Sequence, residues 1–265
     1  MSRISARFSD LKQDGRAAFV PFVTAGDPNS ETTAALLDQL PAAGADLIEL
    51  GVPFSDPMAD GPAIQASSQR ALRAGMTLAK VLDLVRRFRK HDQETPLVLM
   101  GYYNPIHKYG TARFAKDAAE AGVDGLITVD LPPEEDEVLR LPAAAQGLDI
   151  VRLATPTTDD ARLRTILEGA GGFLYYVSIT GVTGTKTFAE DDVRAAVTHL
   201  QLATGLPVAV GFGIKTPEQA ARVAVFSDAA VVGSAIVERM ATGAAVNDVI
   251  AYCASLADAV HAARS

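Results

Sequence analysis

Two carboxylates are set apart by where they fall in the chain. Glu49 interrupts the apolar run LIELG, residues 47–51, with Ile48 and Leu50 on either side. Asp60 follows eleven residues later, past Pro53 and Pro57, in the loop sequence VPFSDPMADGP. A carboxyl in apolar surroundings holds its proton more tightly and can donate it near neutrality. A carboxyl on a wetter loop keeps its charge and can accept a hydrogen bond or steady a cation. The pair therefore suits acid–base chemistry with divided roles. The two prolines stiffen the connection, and Gly61 lets the chain turn after Asp60. Taken singly, each acid has a plainer reading. Glu49 would be an inward acid paired with a buried base, and Asp60 a turn cap. Asp56, in SDP, is read as a turn residue.

A second set of residues points to an anion. ITGVTGTK, VGFGIKTPE and VVGSAIVE each place glycine at the end of an apolar run, ahead of a helix-like stretch. Backbone N–H groups at such strand-to-helix turns hold phosphates. Gly184, Gly213, Gly233 and Ser234 are the candidate donors, with the Ser234 hydroxyl as another. One such glycine implies a tight turn only; three in succession favour a phosphate. The segment ITGVTGTKTFAEDD is long and polar, and reads as either a closing lid or a plain surface loop. Phe22, Met100, Tyr102 and Tyr175 fall near strand ends, where each could line an aromatic pocket or simply fill the core. The four histidines, at 91, 107, 199 and 261, do not cluster, and no HxH, HExxH or CxxC spacing occurs. No P-loop is present either.

These groups need a scaffold, and the pattern of the chain supplies one. Eight short apolar runs read as strands: 18–24, 47–51, 97–102, 125–129, 149–153, 173–178, 207–211 and 229–233. Helical periodicity lies between them. In TLAKVLDLVRRFRKH, Leu78, Val81, Leu82, Val85 and Phe88 share one stripe. RFAKDAAEAG stops at Gly122, and TPEQAARVAVF opens with Thr216 as N-cap and Pro217 at the first helical position. Pro41 should end or kink its helix near Leu40. Continuous apolar strands alternating with helices predict a parallel sheet, and eight units predict a single-domain α/β (β/α)₈ TIM barrel spanning residues 1–265. Ile4, Phe8 and Leu11, at helical spacing, predict an extra N-terminal helix closing one end. In such barrels reactive groups lie at the C-terminal strand ends, which suits both Glu49 and Asp60.

The bulk properties narrow the function further. With 48% hydrophobic residues among 265, the chain can bury a large core, yet no run is long enough to cross a bilayer. The N-terminal residues MSRISARFSD have no apolar stretch of the signal-peptide kind. The single cysteine, Cys253, lies in an alanine-rich segment and reads as a small core residue. A cytosolic protein is expected. The formal net charge of −8 argues against a broad nucleic-acid surface.

Together, PFVTAGDP, LIELGVPFSDPMADGP, GYYNP, VDLPPEE, GVTG, GFGI and GSAIV closely resemble the tryptophan synthase α-subunit family, in order and over nearly the whole chain. The resemblance implies a lyase that cleaves indole-3-glycerol phosphate to indole and glyceraldehyde 3-phosphate. It assigns the family's carboxylates to Glu49 and Asp60, and its phosphate contacts to Gly184, Gly213, Gly233 and Ser234. It assigns the indole pocket to Phe22, Met100, Tyr102, Ile127 and Phe212, and puts Tyr175 and Thr183 beside the substrate. Met100 stands where the resemblance leads one to expect leucine. No cofactor is implied for this chain; pyridoxal phosphate is expected in a β-subunit partner, within an α2β2 heterotetramer. The segment from Pro53 to Asp60 and the lid are the expected contact face. A free-standing indole-3-glycerol-phosphate lyase, with no β partner, fits the same residues.

Overall fold

A computed structural model describes residues 2–177, 190–211 and 213–264. The strands are β1 (Ala18–Thr24), β2 (Ile48–Gly51), β3 (Leu97–Gly101), β4 (Gly125–Thr128), β5 (Asp149–Ile150), β6 (Arg152–Ala154), β7 (Leu174–Val177), β8 (Val208–Gly211) and β9 (Ala229–Val232). The helices are α1 (Arg3–Gln13), α2 (Ser30–Gln39), α3 (Pro62–Arg73), α4 (Leu78–Phe88), α5 (Tyr103–Tyr109), α6 (Thr111–Ala121), α7 (Glu137–Ala145), α8 (Asp160–Ile166), α9 (Glu190–Thr204), α10 (Pro217–Ala224), α11 (Ser234–Ala241) and α12 (Val246–His261).

Every strand pairing is parallel, in the order β5-β4-β3-β2-β1-β9-β8-β7-β6. The two ends of that order, β5 and β6, are joined through Val151, so the sheet closes on itself as a barrel. The single fifth strand expected from sequence is thus two short pieces. Its first residues pair with β4 and its last with β7, because the chain changes partner as it crosses the seam.

Side chains alternate between two cores, as a period of two requires. Phe19, Val23, Ile48, Leu50, Leu97 and Leu99 pack outward under the helices. Ala18, Val20, Leu47, Val98, Ile127, Val151, Phe173, Tyr175, Ala209, Ala229 and Val231 fill the barrel. Ile4, Phe8 and Leu11 of α1 join this inner cluster, and the Phe8 and Phe173 rings lie 5.6 Å apart. The extra helix therefore plugs the N-terminal end. Local signals hold where they were expected. The Thr216 side chain accepts from the Gln219 N–H, Gly122 ends α6 at φ 98°, and α2 stops at Gln39 before Pro41. Cys253 is buried in α12, and burial pushes its thiol up to about 12.

Candidate active site

Glu49 sits where the alternation forces it inward. Its neighbours Ile48 and Leu50 both face the helices, so its carboxyl points into the barrel, level with Phe22 on β1 and Val98 on β3. It is 1% exposed. No base pairs with it among the described residues, and its Oε2 has no hydrogen-bond partner there. Burial, aided by the nearby charge of Asp60, pushes its carboxyl from the ordinary 4.5 up to about 8. At neutral pH this group holds its proton.

Asp60 departs from expectation in one respect. It is half-buried rather than wet, and burial raises its carboxyl above the usual aspartate range. The Tyr102 hydroxyl beside it pulls the other way, favouring the ionised form. The loop is not free to swing into solvent. Asp60 N–H closes a turn on the Pro57 carbonyl at 3.1 Å. The Gln65 side-chain amide, from the first turn of α3, donates to the Asp60 carbonyl at 2.9 Å. Asp56 is exposed and takes a hydrogen bond from Ser55, as a turn residue would.

Both carboxylates line one cavity of about 140 Å³ at the C-terminal strand ends. Phe22, Ile64, Met100 and Tyr175 are among its apolar lining, and Gly213, Gly233 and Ser234 line it too. Gly51 and Gly211 make room for the aromatic rings. A Cβ at Gly51 would lie 2.5 Å from Phe22 Cζ, and one at Gly211 would lie 2.4 Å from the Tyr175 hydroxyl. Tyr175 is buried, and its phenol is raised well above its ordinary 10, first by burial and then by Glu49. Ser234 begins α11, whose first amides have no carbonyl of their own helix to bond. Gly213 adopts φ 58°, a left-handed turn that glycine tolerates at no steric cost.

Not every candidate reaches this cavity. Tyr102 is 3% exposed and lines a small adjoining hollow with Asp60, Ile64 and Val129. Its hydroxyl accepts from the Ala59 N–H at 2.9 Å. Ile127 belongs to the packed barrel interior, and it is not among the cavity-lining residues. Thr183, Gly184, Phe212 and most of the expected lid lie outside the described residues. Ile64, Ile214 and Gln65 were not singled out from sequence. Ile64 and Gln65 occupy the first turn of the helix that opens at Gly61-Pro62, and that start signal was legible.

Two larger hollows lie elsewhere, of about 340 Å³ between α7 and α8 and about 600 Å³ beside α1. Size does not make either one reactive. In the first, Asp136 already lies 2.5 Å from Arg152 and 3.0 Å from Arg140. Among the described residues no lysine lines the carboxylate cavity, and Lys215 instead reaches out to Glu238 at 3.4 Å. No group of three or more histidine, cysteine, aspartate or glutamate residues there is arranged to hold a metal ion. No helix described is long and apolar enough to cross a membrane.

Known proteins share this fold. The family model described as tryptophan synthase alpha chain matches residues 8–261. A tryptophan synthase alpha chain from Legionella pneumophila subsp. pneumophila is 42% identical, with a TM-score of 0.90, over 98% of this chain and 97% of that one. The alpha subunit from Legionella pneumophila str. Paris is 43% identical, with a TM-score of 0.91, over 98% of each. A tryptophan synthase from M. tuberculosis is 32% identical, with a TM-score of 0.89, over 98% of this chain and 99% of that one.

Proposed function

We propose, on the premise that this chain belongs to the tryptophan synthase alpha chain family and is a lyase of that family's alpha reaction, that Glu49 and Asp60 share the cleavage of indole-3-glycerol phosphate. The observation that carries the reading is a buried carboxyl with no basic partner among the described residues, in the same cavity as a half-buried second carboxyl and the glycine turns.

The steps follow from those groups. Neutral Glu49 gives its proton to the ring carbon bearing the glycerol chain. The ring nitrogen then carries positive charge, and ionised Asp60 accepts its N–H hydrogen bond and stabilises it. Glu49, now a carboxylate, takes the hydroxyl proton of the adjacent side-chain carbon. The carbon–carbon bond breaks, its electron pair returns to the ring, and indole and glyceraldehyde 3-phosphate result. Glu49 ends as it began, protonated. General acid–base help of this kind contributes roughly 10²–10⁴ in rate, and charge stabilisation adds a comparable factor.

The rest of the cavity binds. Phe22, Met100 and Ile64 offer apolar surface for the indole, and Tyr102 lines the adjoining hollow, while Phe212 and Ile127 rest on the family resemblance alone. Tyr175 and Thr183 would flank the glycerol. The amides at Gly213, Gly233 and Ser234, with Gly184, would hold the phosphate through the α11 N-terminus. Indole would pass to a β subunit in an α2β2 assembly in the cytosol. Pyridoxal phosphate would serve the second reaction in that partner, not in this chain. The loop from Pro53 to Asp60 is the proposed contact face, and its exposed Met58 supports that role.

The test measures indole release from indole-3-glycerol phosphate by the parent, Glu49→Gln and Asp60→Asn. Both variants should bind a phosphate-bearing analogue yet lose most turnover. Full activity in Glu49→Gln ends the proposal. Added β subunit should raise the parent's rate, and an unchanged rate removes the partner from it.

A further inference from the structure

Asp60 is a loop residue, and a carboxylate that must meet a ring nitrogen has to be held to within a fraction of an ångström. Two side chains from different elements grip its loop. From α3, the Gln65 amide bridges the Asp60 carbonyl at 2.9 Å and the Pro57 carbonyl at 3.4 Å. From the end of β3, the Tyr102 hydroxyl accepts from Ala59 N–H at 2.9 Å, beside the Asp60 carboxyl. The Tyr102 ring is fixed in turn against Phe54, 5.2 Å between centroids. The Tyr102 hydroxyl is thus engaged by the loop, and Tyr102 lines the adjoining hollow rather than the cavity that holds Glu49.

We propose that Tyr102 and Gln65 are positioning residues, which hold the loop that carries the Asp60 carboxylate from two different elements without touching the substrate's reacting atoms. The inference rests on the reading of Asp60 as an ionised acceptor, and it gives Tyr102 a task distinct from lining an indole pocket. Besides Asp60, the titratable groups of the two adjoining hollows are Glu49 on β2, Tyr175 on β7 and Tyr102 itself; among the described residues no cation lines them. The Tyr102 hydroxyl is therefore the group there that favours ionised Asp60.

The experiment measures kcat, KM and the pH profile of kcat/KM for Tyr102→Phe, Gln65→Met and Asp60→Asn, all with indole-3-glycerol phosphate. Tyr102→Phe keeps the ring and removes only the hydroxyl. Its kcat should fall roughly tenfold, with KM little changed. Its acid limb should move to higher pH, because Asp60 loses the contact that favours its charge. Titration of the substrate phosphate is common to parent and variant and cancels. Gln65→Met should lose kcat by a similar factor with the acid limb unmoved, since Gln65 holds the backbone rather than the carboxyl. A rise in KM alone for Tyr102→Phe, or a parental acid limb, overturns its positioning role. Parental kcat in Gln65→Met overturns the role of Gln65. Should Asp60→Asn keep full turnover, the role of Asp60 itself fails. Should Asp60→Asn be inactive while both other variants match the parent at every pH, the positioning inference alone fails.

Discussion

Glu49→Gln should make the protein more stable while disabling it, and the size of the gain follows from the buried carboxyl. The folded group titrates at about 8 and its ordinary value is 4.5. Between those limits the folded protein keeps a proton that the unfolded chain has lost. Stability contributed by this group therefore falls as pH rises from 4.5 to about 8, and is level outside that window. At about 1.36 kcal/mol per pH unit, the full loss is about 5 kcal/mol, of which about 3 kcal/mol is already present at pH 7. Glutamine has nearly the same shape and no charge to bury. The amide's unpaired donors add a cost that does not vary with pH, so the slope of the difference carries the test. Urea unfolding of parent and variant, followed by circular dichroism from pH 5 to 9, should show the variant gaining on the parent steadily up to about pH 8. A difference that stays flat across that range refutes the reasoning.

Three further outcomes follow from particular contacts. Gly51→Ala puts a methyl 2.5 Å from the Phe22 ring, which must turn into the cavity; kcat/KM should drop about tenfold, mostly through KM, in steady-state assays. Asp124 accepts from Arg89 and Arg3 at 2.7 Å each and from the Leu97 N–H at 2.8 Å, so Asp124→Ala leaves buried Arg89 only the longer Asp92 contact at 3.7 Å and should cost about 3 kcal/mol in denaturant unfolding. Cys253 is fully buried with its thiol pushed up to about 12, so iodoacetamide should label it in urea and not in the native protein, as read by mass spectrometry.

The barrel was legible because its signals are local and periodic. Strand runs such as Ala18–Thr24 need no tertiary context, and α4 shows its stripe in Val81, Leu82, Val85 and Phe88. The inward aim of Glu49 was legible for the same reason, from its apolar neighbours. What the sequence lacked was distance. It could not say that the fifth strand changes partner at Val151, which depends on how the sheet closes. Nor could it say how the Asp60 loop is held at the cavity, because the bond from the Ala59 N–H to the Tyr102 hydroxyl joins parts of the chain brought together by the barrel. Polar loop composition suggested a wetter Asp60 than the structure has. Ile64 was not singled out, because its place at the cavity depends on where α3 starts relative to the barrel.

The most direct measurement is the protonation state of Glu49 itself, by isotope-edited infrared spectroscopy of the carboxyl in parent and Glu49→Gln. A protonated carboxylic C=O band should persist at pH 7, disappear above about pH 8, and be missing from the variant. A carboxylate band from Glu49 already dominant at pH 6 would contradict the account, since the chemistry would then begin without its proton donor.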